Sequence, residues 1–410
     1  MNRKTTLALL GGLTALGLLT ACGGGSSAGG SGSSAAGGTY TWWDPYPQYD
    51  ASSDWAKVID TCAQQAGVTV KRTAYDTTDL TSKALLAGQQ GNSPDLLLVD
   101  NPVVSTLAEA GLLTTTDESG LSVDGFAPNI LAAGQQDGKT FGVPIGANTL
   151  ALYYNPKILK KAGVEPASIT DWASLTAALG KVKQAGDKGI TFAAVGTEEG
   201  SFQFLPWFWG AGAQLTDLAS AQGVAALTLW SDWVKDGYAP NSVLNNTQTT
   251  SWQEFIAGNI AFAENGTWQK ADAAKNGFEV MPLPGQNGGT APAPTGGEFL
   301  SLPVQKDTDR YPVSAKIAAC MTDTANIVNT DNTLNYIAPT DTAQKQQLAE
   351  DKTLQAWVDA VGAAKGRTSD NLGTKYPKIS EQLWTAVQSA LTGKVDPAKA
   401  LQTAQDAAGE

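Results

Sequence analysis

Histidine is absent from this chain of 410 residues. The chain therefore has no Ser-His-Asp triad, lacks the usual general base near neutral pH, and lacks the commonest zinc ligand. Carboxylate chemistry and oxygen-ligated ions stay open, but we predict no metal site and no cofactor. Basic residues are also few, 27 against 39 acidic ones, which gives a formal net charge of −12. A balance this acidic, with no long basic run, argues against nucleic acid as a partner.

Charged residues make up only 16% of the chain, whereas 42% of the residues are hydrophobic. This composition is typical of a globular protein, and the length allows two or three domains with substantial cores. Tryptophan, by contrast, is plentiful, with 12 residues. Its broad apolar face suits the C–H face of a sugar ring, and Asp, Asn and Glu suit sugar hydroxyls. Core packing explains several of these tryptophans but not all.

A long apolar run occurs at the amino terminus, where residues 7–19 follow Arg3 and Lys4. The run is too short to span a bilayer permanently, so residues 1–21 are predicted to be an export signal. It ends in Leu-Thr-Ala-Cys at residues 19–22, which resembles the bacterial lipobox. Cys22 would then carry the lipid. The alternative is an ordinary signal peptide followed by a coincidental cysteine.

Residues 23–38 are only Gly, Ser and Ala. Such a segment cannot form a core, so residues 22–38 are predicted to be a lipid-anchored flexible tether that reaches a few tens of ångströms. We therefore expect an exported protein, anchored at the outer face of the bacterial cytoplasmic membrane. No later segment is both long and apolar enough to cross the bilayer.

From about residue 39 the pattern alternates between strands and helices, which predicts an α/β fold with a mainly parallel sheet. Continuous apolar runs such as 94–100 are typical of strands covered on both faces. The predicted strands are 40–43, 68–72, 94–100, 150–154, 192–195, 260–263, 278–281 and a turn into a strand at 296–302. The predicted helices are 54–66, 80–87, 156–162, one from 172, 227–233, 314–321, 380–391 and one from 397.

The segment 255–268 predicts the end of a helix, a buried strand at 260–263 and a polar turn. Thr267 would cap a following helix that begins at Trp268. In α/β folds, ligands bind in the crevice beyond the carboxyl ends of strands. Trp268 would present a flat apolar face there, the alternative being a core tryptophan. The Asn265 side chain is expected to serve the backbone of the turn.

Seven stretches of the sequence follow one another in a recognisable order: 93–100, 138–144, 152–155 with 161–164, 170–172, 255–268, 296–297, and 391–394 with 400–401. In this order they resemble segments of a known family, the extracellular solute-binding proteins of ABC sugar importers, which includes maltose-binding protein. One departure is Phe262, where the family commonly has Met.

The resemblance implies a fold of two α/β lobes with the ligand cleft between them. Lobe 1 would comprise residues 39–145 plus 297–334, and lobe 2 residues 146–296 plus 335–410. The lobes would close on a carbohydrate, and the closed form would be recognised by the permease subunits of an ABC transporter. The protein is expected to be a monomer.

The resemblance also implies ligand contacts from polar and aromatic side chains at strand ends and crossovers. Asn148 would lie at the first crossover, where a relative such as maltose-binding protein has an acid, and Trp268 and Trp384 would be the stacking aromatics of the second lobe. The candidates are Trp43, Asp44, Asp100, Asn101, Asn148, Glu199, Trp207, Trp209, Trp268, Glu298 and Trp384.

Several of these roles have alternatives. Trp384 fits core packing within its helix as well as stacking on a ligand. Of Trp207 and Trp209, one is expected in the core and one in the pocket. Glu298 points inward from its turn or is solvated. Three further tryptophans are assigned to helix packing: Trp172, Trp230 and Trp233.

Cysteine is scarce, and only Cys62 and Cys320 follow Cys22. Two cysteines in an exported chain favour a disulfide. In the family fold both would lie on helices of lobe 1. The alternative is a pair of buried thiols.

Three functions fit these observations. The first is a lipid-anchored sugar receptor without enzymatic activity. The second is a secreted carbohydrate-active enzyme that uses Glu198 and Glu199. Adjacent acids on an extended turn usually point apart, and the opposed pair that glycoside hydrolysis needs is not evident. The third is the same fold with a polyamine or another cation as ligand, which the acidic balance permits.

Overall fold

The structure, a computed structural model, describes residues 38–368 and 372–409. The predicted export signal, Cys22 and the tether up to residue 37 lie outside the described residues. In the part that is described, no helix is both long and apolar enough to span a membrane. The same part has no cluster of three or more Asp, Glu or Cys side chains that could hold a metal ion.

The strands are mostly short, and the longest coincide with the apolar runs of the sequence. They are β1 (Thr39–Asp44), β2 (Thr69–Ala74), β3 (Leu96–Asp100), β4 (Gln135–Gln136), β5 (Lys139–Thr140), β6 (Val143–Pro144), β7 (Leu150–Tyr154), β8 (Lys188–Thr191), β9 (Ile260–Gly266), β10 (Glu279–Met281) and β11 (Glu298–Ser301).

The helices begin mostly at Ser, Thr, Asp or Asn caps, and several end at a left-handed glycine, as at Gly163 (φ 64°). They are α1 (Asp54–Gln65), α2 (Thr77–Gln90), α3 (Asn101–Glu109), α4 (Thr116–Ser119), α5 (Pro128–Leu131), α6 (Pro156–Ala162), α7 (Trp172–Gln184), α8 (Glu198–Gly210), α9 (Ala221–Lys235), α10 (Gln248–Ile256), α11 (Lys270–Asn276), α12 (Tyr311–Met321), α13 (Thr324–Leu334), α14 (Asp341–Glu350), α15 (Gln355–Gly362), α16 (Tyr376–Leu391) and α17 (Pro397–Gly409).

Two separate sheets organise these elements. Sheet 1 has five strands in the order β2-β1-β3-β11-β6, and sheet 2 has four in the order β10-β7-β9-β8. Both are mixed: β1 runs parallel to β2 and β3, whereas β11 runs antiparallel to β3 and β6. In sheet 2 only β8 is parallel to its neighbour β9. The prediction of a mainly parallel sheet is therefore wrong, because strands that return from the other sheet join antiparallel.

Each sheet is covered on both faces. In β3, Leu96 and Leu98 pack into one cluster with Trp42, while Leu97 and Val99 pack into another on the opposite face. Sheet 2 follows the same rule along β7, whose alternate residues enter two different clusters. Burial on both faces explains why these strands read as continuous apolar runs.

Two local predictions are corrected by the structure. The strand predicted at 192–195 lies earlier, at β8, because the next residues bond elsewhere. The Ala193 N–H donates to Gln203 Oε1 (2.6 Å) and the Ala194 N–H to the Val243 carbonyl (2.9 Å). The predicted turn with Glu198 and Glu199 is instead the first turn of α8.

Three chain segments connect the two sheets side by side. Asn148 forms a bridge with Gly296, and Ala147 forms one with Ile337. The approach is close at Gly146, where an added Cβ would lie 2.1 Å from Asp331 Oδ1. Gly297, at φ 112°, would meet the Gly146 carbonyl in the same way. The predicted lobe boundaries fall within these segments and stay a prediction.

Cys62 on α1 and Cys320 on α12 form a disulfide with a Cα–Cα distance of 5.5 Å. Both helices pack against one face of sheet 1. The bridge joins residues 258 positions apart and so ties the returning part of the chain to its beginning.

Candidate functional site

A cleft of about 700 Å³ lies between the ends of the two sheets. Sheet 1 contributes Asp100 at the end of β3 and the loop after β1. Sheet 2 contributes Trp268 after β9 and the first turn of α8. The connecting segments form the floor with Asn148 and the residues around Glu298. The full lining is Pro45, Tyr46, Gln48, Tyr49, Thr77, Asp100, Asn148, Thr197, Glu198, Glu199, Phe202, Gln248, Thr249, Trp268, Gln269, Gly296, Gly297, Glu298, Leu334, Asn335, Tyr336 and Arg367.

Trp268 supplies a half-buried aromatic wall of this cleft. Its ring folds over Gly266 so closely that an added Cβ there would lie 2.1 Å from Trp268 Cζ3. Phe202 lies beside it, with the ring centroids 6.5 Å apart and the planes tilted by 44°. Because residue 266 is a glycine, the Trp268 indole can fold back along the end of β9 while part of it faces the cleft.

The turn before Trp268 behaves partly as predicted. The Asn265 side chain accepts from the Gly266 N–H (2.9 Å) and donates to the Gln248 carbonyl (2.9 Å), so its predicted service to the backbone is confirmed. The predicted cap at Thr267 is wrong. Its buried hydroxyl has no hydrogen-bond partner, and the residues from Thr267 to Gln269 form a 3₁₀ turn before α11.

Asp100 and Glu198 meet the same arginine in the cleft. Arg367 Nη2 lies 2.7 Å from Asp100 Oδ1, and Arg367 Nη1 lies 2.8 Å from Glu198 Oε1. Arg367 is 2% exposed and lies over the Phe202 ring at 4.9 Å. The hydroxyls of Tyr376 and Ser380 also donate to Glu198. The ion cluster of Arg367, Asp100 and Glu198 fixes one end of the cleft.

Glu298 begins β11 and pairs with Asp100 of the neighbouring strand β3. Its side chain points inward. It accepts from the hydroxyls of Tyr46 (2.5 Å) and Tyr336 (3.4 Å). Burial, and then the neighbouring Asp100 carboxylate, raise the pKa of Glu298 to about 7. The two tyrosine hydroxyls and Arg367 act in the opposite direction. Of the two predicted alternatives for Glu298, the structure therefore adopts the inward one.

This environment has a consequence for stability against pH. The ordinary pKa of a glutamate is about 4.5 and that of folded Glu298 about 7, so the native protein binds more protons between these values. Stability should fall as the pH rises through this window. In Glu298→Gln the fall should be smaller by about 2–3 kcal/mol, allowing for partial exposure. Urea unfolding of both proteins from pH 4.5 to 7 measures this, and parallel profiles would contradict the raised pKa.

Glu199 and Asn148 also line the cleft, as predicted from the resemblance. Glu199 Oε2 accepts from the backbone N–H of Gln248 (2.8 Å), which fixes its position at the start of α8. Asn148 is 5% exposed, and its side chain hydrogen-bonds Tyr336. Contact of these two residues with a ligand stays a prediction.

Three candidates near the end of sheet 1 serve the protein itself. Asp44 is fully buried and accepts from Arg72 Nη2 (2.8 Å) and Trp42 Nε1 (2.9 Å). Trp43 packs edge-on against Tyr75 below the sheet. Asn101 is 1% exposed and donates to the Thr295 carbonyl (2.9 Å). None is among the described residues that line the cleft, and their direct contact with a ligand stays a prediction.

The other three tryptophans predicted as ligand contacts, Trp207, Trp209 and Trp384, are also outside the described cleft lining. Trp207 is fully buried and donates to Glu264 Oε2 (2.7 Å), so it belongs to the core. Trp209 is 5% exposed in the same core cluster, with Lys365 Nζ 5.4 Å from its ring centroid. Both indoles therefore pack in the core, and the predicted pocket role of one of them stays a prediction. Trp384 is half-buried on α16, beside Gly196.

The structure adds cleft residues that the sequence did not single out as ligand contacts. Tyr46 had a signal, since it directly follows the first strand at Asp44-Pro45-Tyr46-Pro47. Phe202 lay in the aromatic run after Glu199. Arg367 had no local signal, because its partners Asp100 and Glu198 are 267 and 169 residues away along the chain.

Two α/β bodies that enclose a polar cleft with an aromatic wall define the class of two-lobe binding proteins. The chain belongs to the bacterial extracellular solute-binding proteins, since residues 57–360 match the model of that family. The predictions of this family and of a two-lobe fold of the maltose-binding type are both confirmed.

Curated relatives are about a quarter identical to this chain over the aligned residues. A protein described as a binding protein in Brucella abortus is 26% identical over 172 residues, covering 38% of this chain and 41% of the relative. The chain thus spans about two-fifths of the length of the first relatives that it matches. The maltodextrin-binding protein MdxE of Bacillus subtilis is 26% identical over 334 residues, covering 78% of this chain and 76% of that protein.

Solved structures with this fold include the GacH receptor of Streptomyces glaucescens, determined without ligand and with acarbose. It has a TM-score of 0.77 and 23% identity and covers 90% of this chain and 97% of its own. UgpB of Mycobacterium tuberculosis, solved with glycerophosphocholine, has a TM-score of 0.78 and 21% identity over 90% of this chain and 97% of its own. These similarities establish the fold and not the ligand.

Proposed function

We propose that this protein is an extracytoplasmic carbohydrate receptor that captures a sugar or oligosaccharide by lobe closure and delivers it to an ABC transporter permease. The observation that carries the proposal is the pairing of the Trp268 ring with hydrogen-bonding side chains in one cleft. An aromatic face packs on sugar C–H groups, while carboxylates and amides bind hydroxyls. Closure excludes water and strengthens each hydrogen bond.

The polar groups of the cleft suit hydroxyl recognition. Glu199, Glu298 and Asn148 offer acceptors, and the amide of Asn148 also offers donors. Tyr46, Tyr49 and Tyr336 supply further aromatic surface. The names of MdxE and the acarbose complex of GacH agree with a carbohydrate.

We further propose that the protein binds its ligand without turnover. The two acids of the enzyme hypothesis are adjacent in the first turn of α8 and have separate partners. Glu198 accepts from Arg367, Tyr376 and Ser380, and Glu199 accepts from the Gln248 N–H. Two carboxyl groups opposed across a scissile bond would be needed for hydrolysis.

The transport role rests on the amino-terminal sequence as well as on the family. Lipid modification at Cys22 and the tether that follows would keep the receptor close to its permease. A relative in Streptococcus pneumoniae carries the name of a maltooligosaccharide ABC transporter solute-binding lipoprotein and is 27% identical over 251 residues. For this chain, permease partners and a lipid at Cys22 are proposals.

Isothermal titration of the protein from residue 39 onward tests the ligand class. The panel holds maltooligosaccharides, other oligosaccharides, glycerophosphocholine and polyamines. Saturable binding of an oligosaccharide, without release of reducing sugar, supports the proposal. Binding of only the polyamines or the phosphodiester, or catalytic release of reducing sugar, overturns it. Mass spectrometry of ligand that co-purifies with the protein names the sugar.

Trp268→Ala tests the aromatic wall with whichever oligosaccharide binds. Loss of the ring face should weaken binding by about 1–3 kcal/mol, which is about 5- to 150-fold in Kd, while the fold is kept. Trp268→Phe should recover part of the loss because it retains a ring. The matched control is Trp384→Ala, a half-buried tryptophan outside the described cleft lining. Unchanged affinity in Trp268→Ala would assign this ring to packing.

A further inference from the structure

One guanidinium group connects the two lobes, meaning here the bodies around sheet 1 and around sheet 2. Arg367 Nη2 donates to Asp100 Oδ1 (2.7 Å) and Nη1 to Glu198 Oε1 (2.8 Å). Nη1 also lies 3.2 Å from Asp100 Oδ2, and Nη2 lies 3.0 Å from Asn101 Oδ1. The fork-shaped group thus engages both carboxylates at once.

The two carboxylates belong to different bodies. Asp100 ends β3 of sheet 1 and caps α3 by accepting from the Asn101 N–H (2.9 Å). Glu198 opens α8, which follows β8 of sheet 2. On its other side Glu198 accepts from Tyr376 (2.6 Å) and from Ser380, both on α16. If the two bodies moved apart, each carboxylate would have to give up these contacts to stay close to the other.

The backbone next to Arg367 is fixed as well. The Lys365 N–H donates to the Ala293 carbonyl (2.9 Å), and the Thr295 N–H donates to the Lys365 carbonyl (2.9 Å). The guanidinium lies over the Phe202 ring of α8 at 4.9 Å. Arg367 is therefore held on the side of α8 and α16, and its contacts with Asp100 and Asn101 cross to the sheet 1 side of the cleft.

We propose that Arg367 is a latch between the lobes, which holds the cleft partly closed when no ligand is bound. Rotation of sheet 1 away from α8 would break the paired contacts with Asp100 and leave charges that are buried in the closed form without their partner. The latch shifts the equilibrium between the open and closed forms toward the closed form. Less of the ligand's binding free energy is then needed to close the cleft. It is a positioning role and does not depend on which ligand the cleft takes.

Small-angle X-ray scattering of the ligand-free protein from residue 39 onward tests the latch. A compact chain of this length has a radius of gyration of about 21 Å. In Arg367→Met, which keeps the apolar stem but removes the fork, the radius should rise by about 1 Å, since nothing opposes opening. Removal of the two carboxylates, by Asp100→Asn with Glu198→Gln, should give the same rise. An unchanged radius in both variants would overturn the proposal.

The matched control is Arg310→Met. Arg310 also pairs with a buried acid, Asp95 (Nη2–Oδ2 2.9 Å), and lies over the Tyr40 ring at 3.9 Å. All these residues lie beside sheet 1, so its loss should leave the radius unchanged. If Arg367→Met does not fold, the triple variant with Asp100→Asn and Glu198→Gln removes the orphaned charges and keeps the test decisive. An equal rise in Arg310→Met would reduce the effect to general loosening and overturn the latch.

The scattering test uses no ligand, so it fails or succeeds independently of the carbohydrate proposal. The affinity of an oligosaccharide for Arg367→Met gives a second measurement. A latch predicts weaker binding of all oligosaccharides by a similar factor, whatever their length. Loss that falls on one ligand alone would indicate a direct contact with that ligand and contradict the latch.

Discussion

Removal of the disulfide should lower the free energy of unfolding by about 5 kcal/mol, the largest effect expected for this protein. Cys62 and Cys320 are 258 residues apart, so the bridge restricts a very long loop in the unfolded chain. In the chain-entropy model, loops of this size give the greatest stabilisation. The variant Cys62→Ala with Cys320→Ser should thus unfold at a much lower urea concentration than the oxidised protein.

Two measurements keep this prediction specific. Mass measurement after alkylation, with and without reductant, counts the thiols that are free in the native protein. Reduction of the native chain should give the same loss of stability as the double variant, because both open the same loop. Two thiols that alkylate without reductant would contradict the bridge. A double variant as stable as the oxidised protein would contradict the predicted contribution of the bridge to the free energy of unfolding.

Replacement of Trp207 with alanine should cost about 3–5 kcal/mol of stability, the range for large-to-small changes at buried aromatic sites. The indole is fully buried and packs against the rings of Trp172 and Trp233 at centroid distances of 6.3 Å and 5.0 Å. Its Nε1 is the donor to Glu264 Oε2, while Glu264 Oε1 has no hydrogen-bond partner. The variant would remove the one hydrogen bond that this buried carboxyl group accepts in the described structure.

The hydrogen bond from Trp207 also affects the protonation of Glu264. Burial raises the pKa of Glu264 well above its ordinary value, and the Trp207 hydrogen bond opposes this shift. Trp207→Phe keeps much of the volume but removes the donor, so it should lose about 1–3 kcal/mol. Urea unfolding of both variants separates the packing loss from the hydrogen-bond loss.

The control for Trp207→Ala is Trp384→Ala. Trp384 is half-buried, so its truncation should cost much less stability. Titration with an oligosaccharide should show near-normal affinity for the fraction of Trp207→Ala that is folded. If Trp207→Ala were as stable as Trp384→Ala but lost its ligand, Trp207 would belong to the pocket and not to the core.

Much of the fold was predictable because its signals are local. Asp171 caps α7, and Gly163 ends α6 in the left-handed conformation, as the sequence indicates. The apolar run of β3 predicts a strand covered on both faces. The run at 192–195 looks equally strand-like, yet Gln203 and Val243 take its backbone N–H groups. Such competition from distant residues has no local trace.

The candidate site was predictable only in part. Trp268, Asp100, Asn148, Glu199 and Glu298 lie together at the cleft, since the ends of strands and the crossovers meet there. Asp44 shares the same strand-end position but is drawn inward by Arg72 and by two buried indoles. Position in a strand thus indicates the right edge of the sheet but not the direction of a side chain.

By itself the sequence indicated an α/β fold and a tryptophan at a strand end, because apolar periodicity and caps depend on neighbouring residues. The two-lobe arrangement followed from the resemblance to the solute-binding family, and export stays a prediction. Tertiary structure alone decided that Trp207 is core and that Arg367 holds Asp100 and Glu198. These contacts join residues 57 to 267 positions apart. Their geometry depends on how whole helices and sheets pack, and no short-range pattern encodes it.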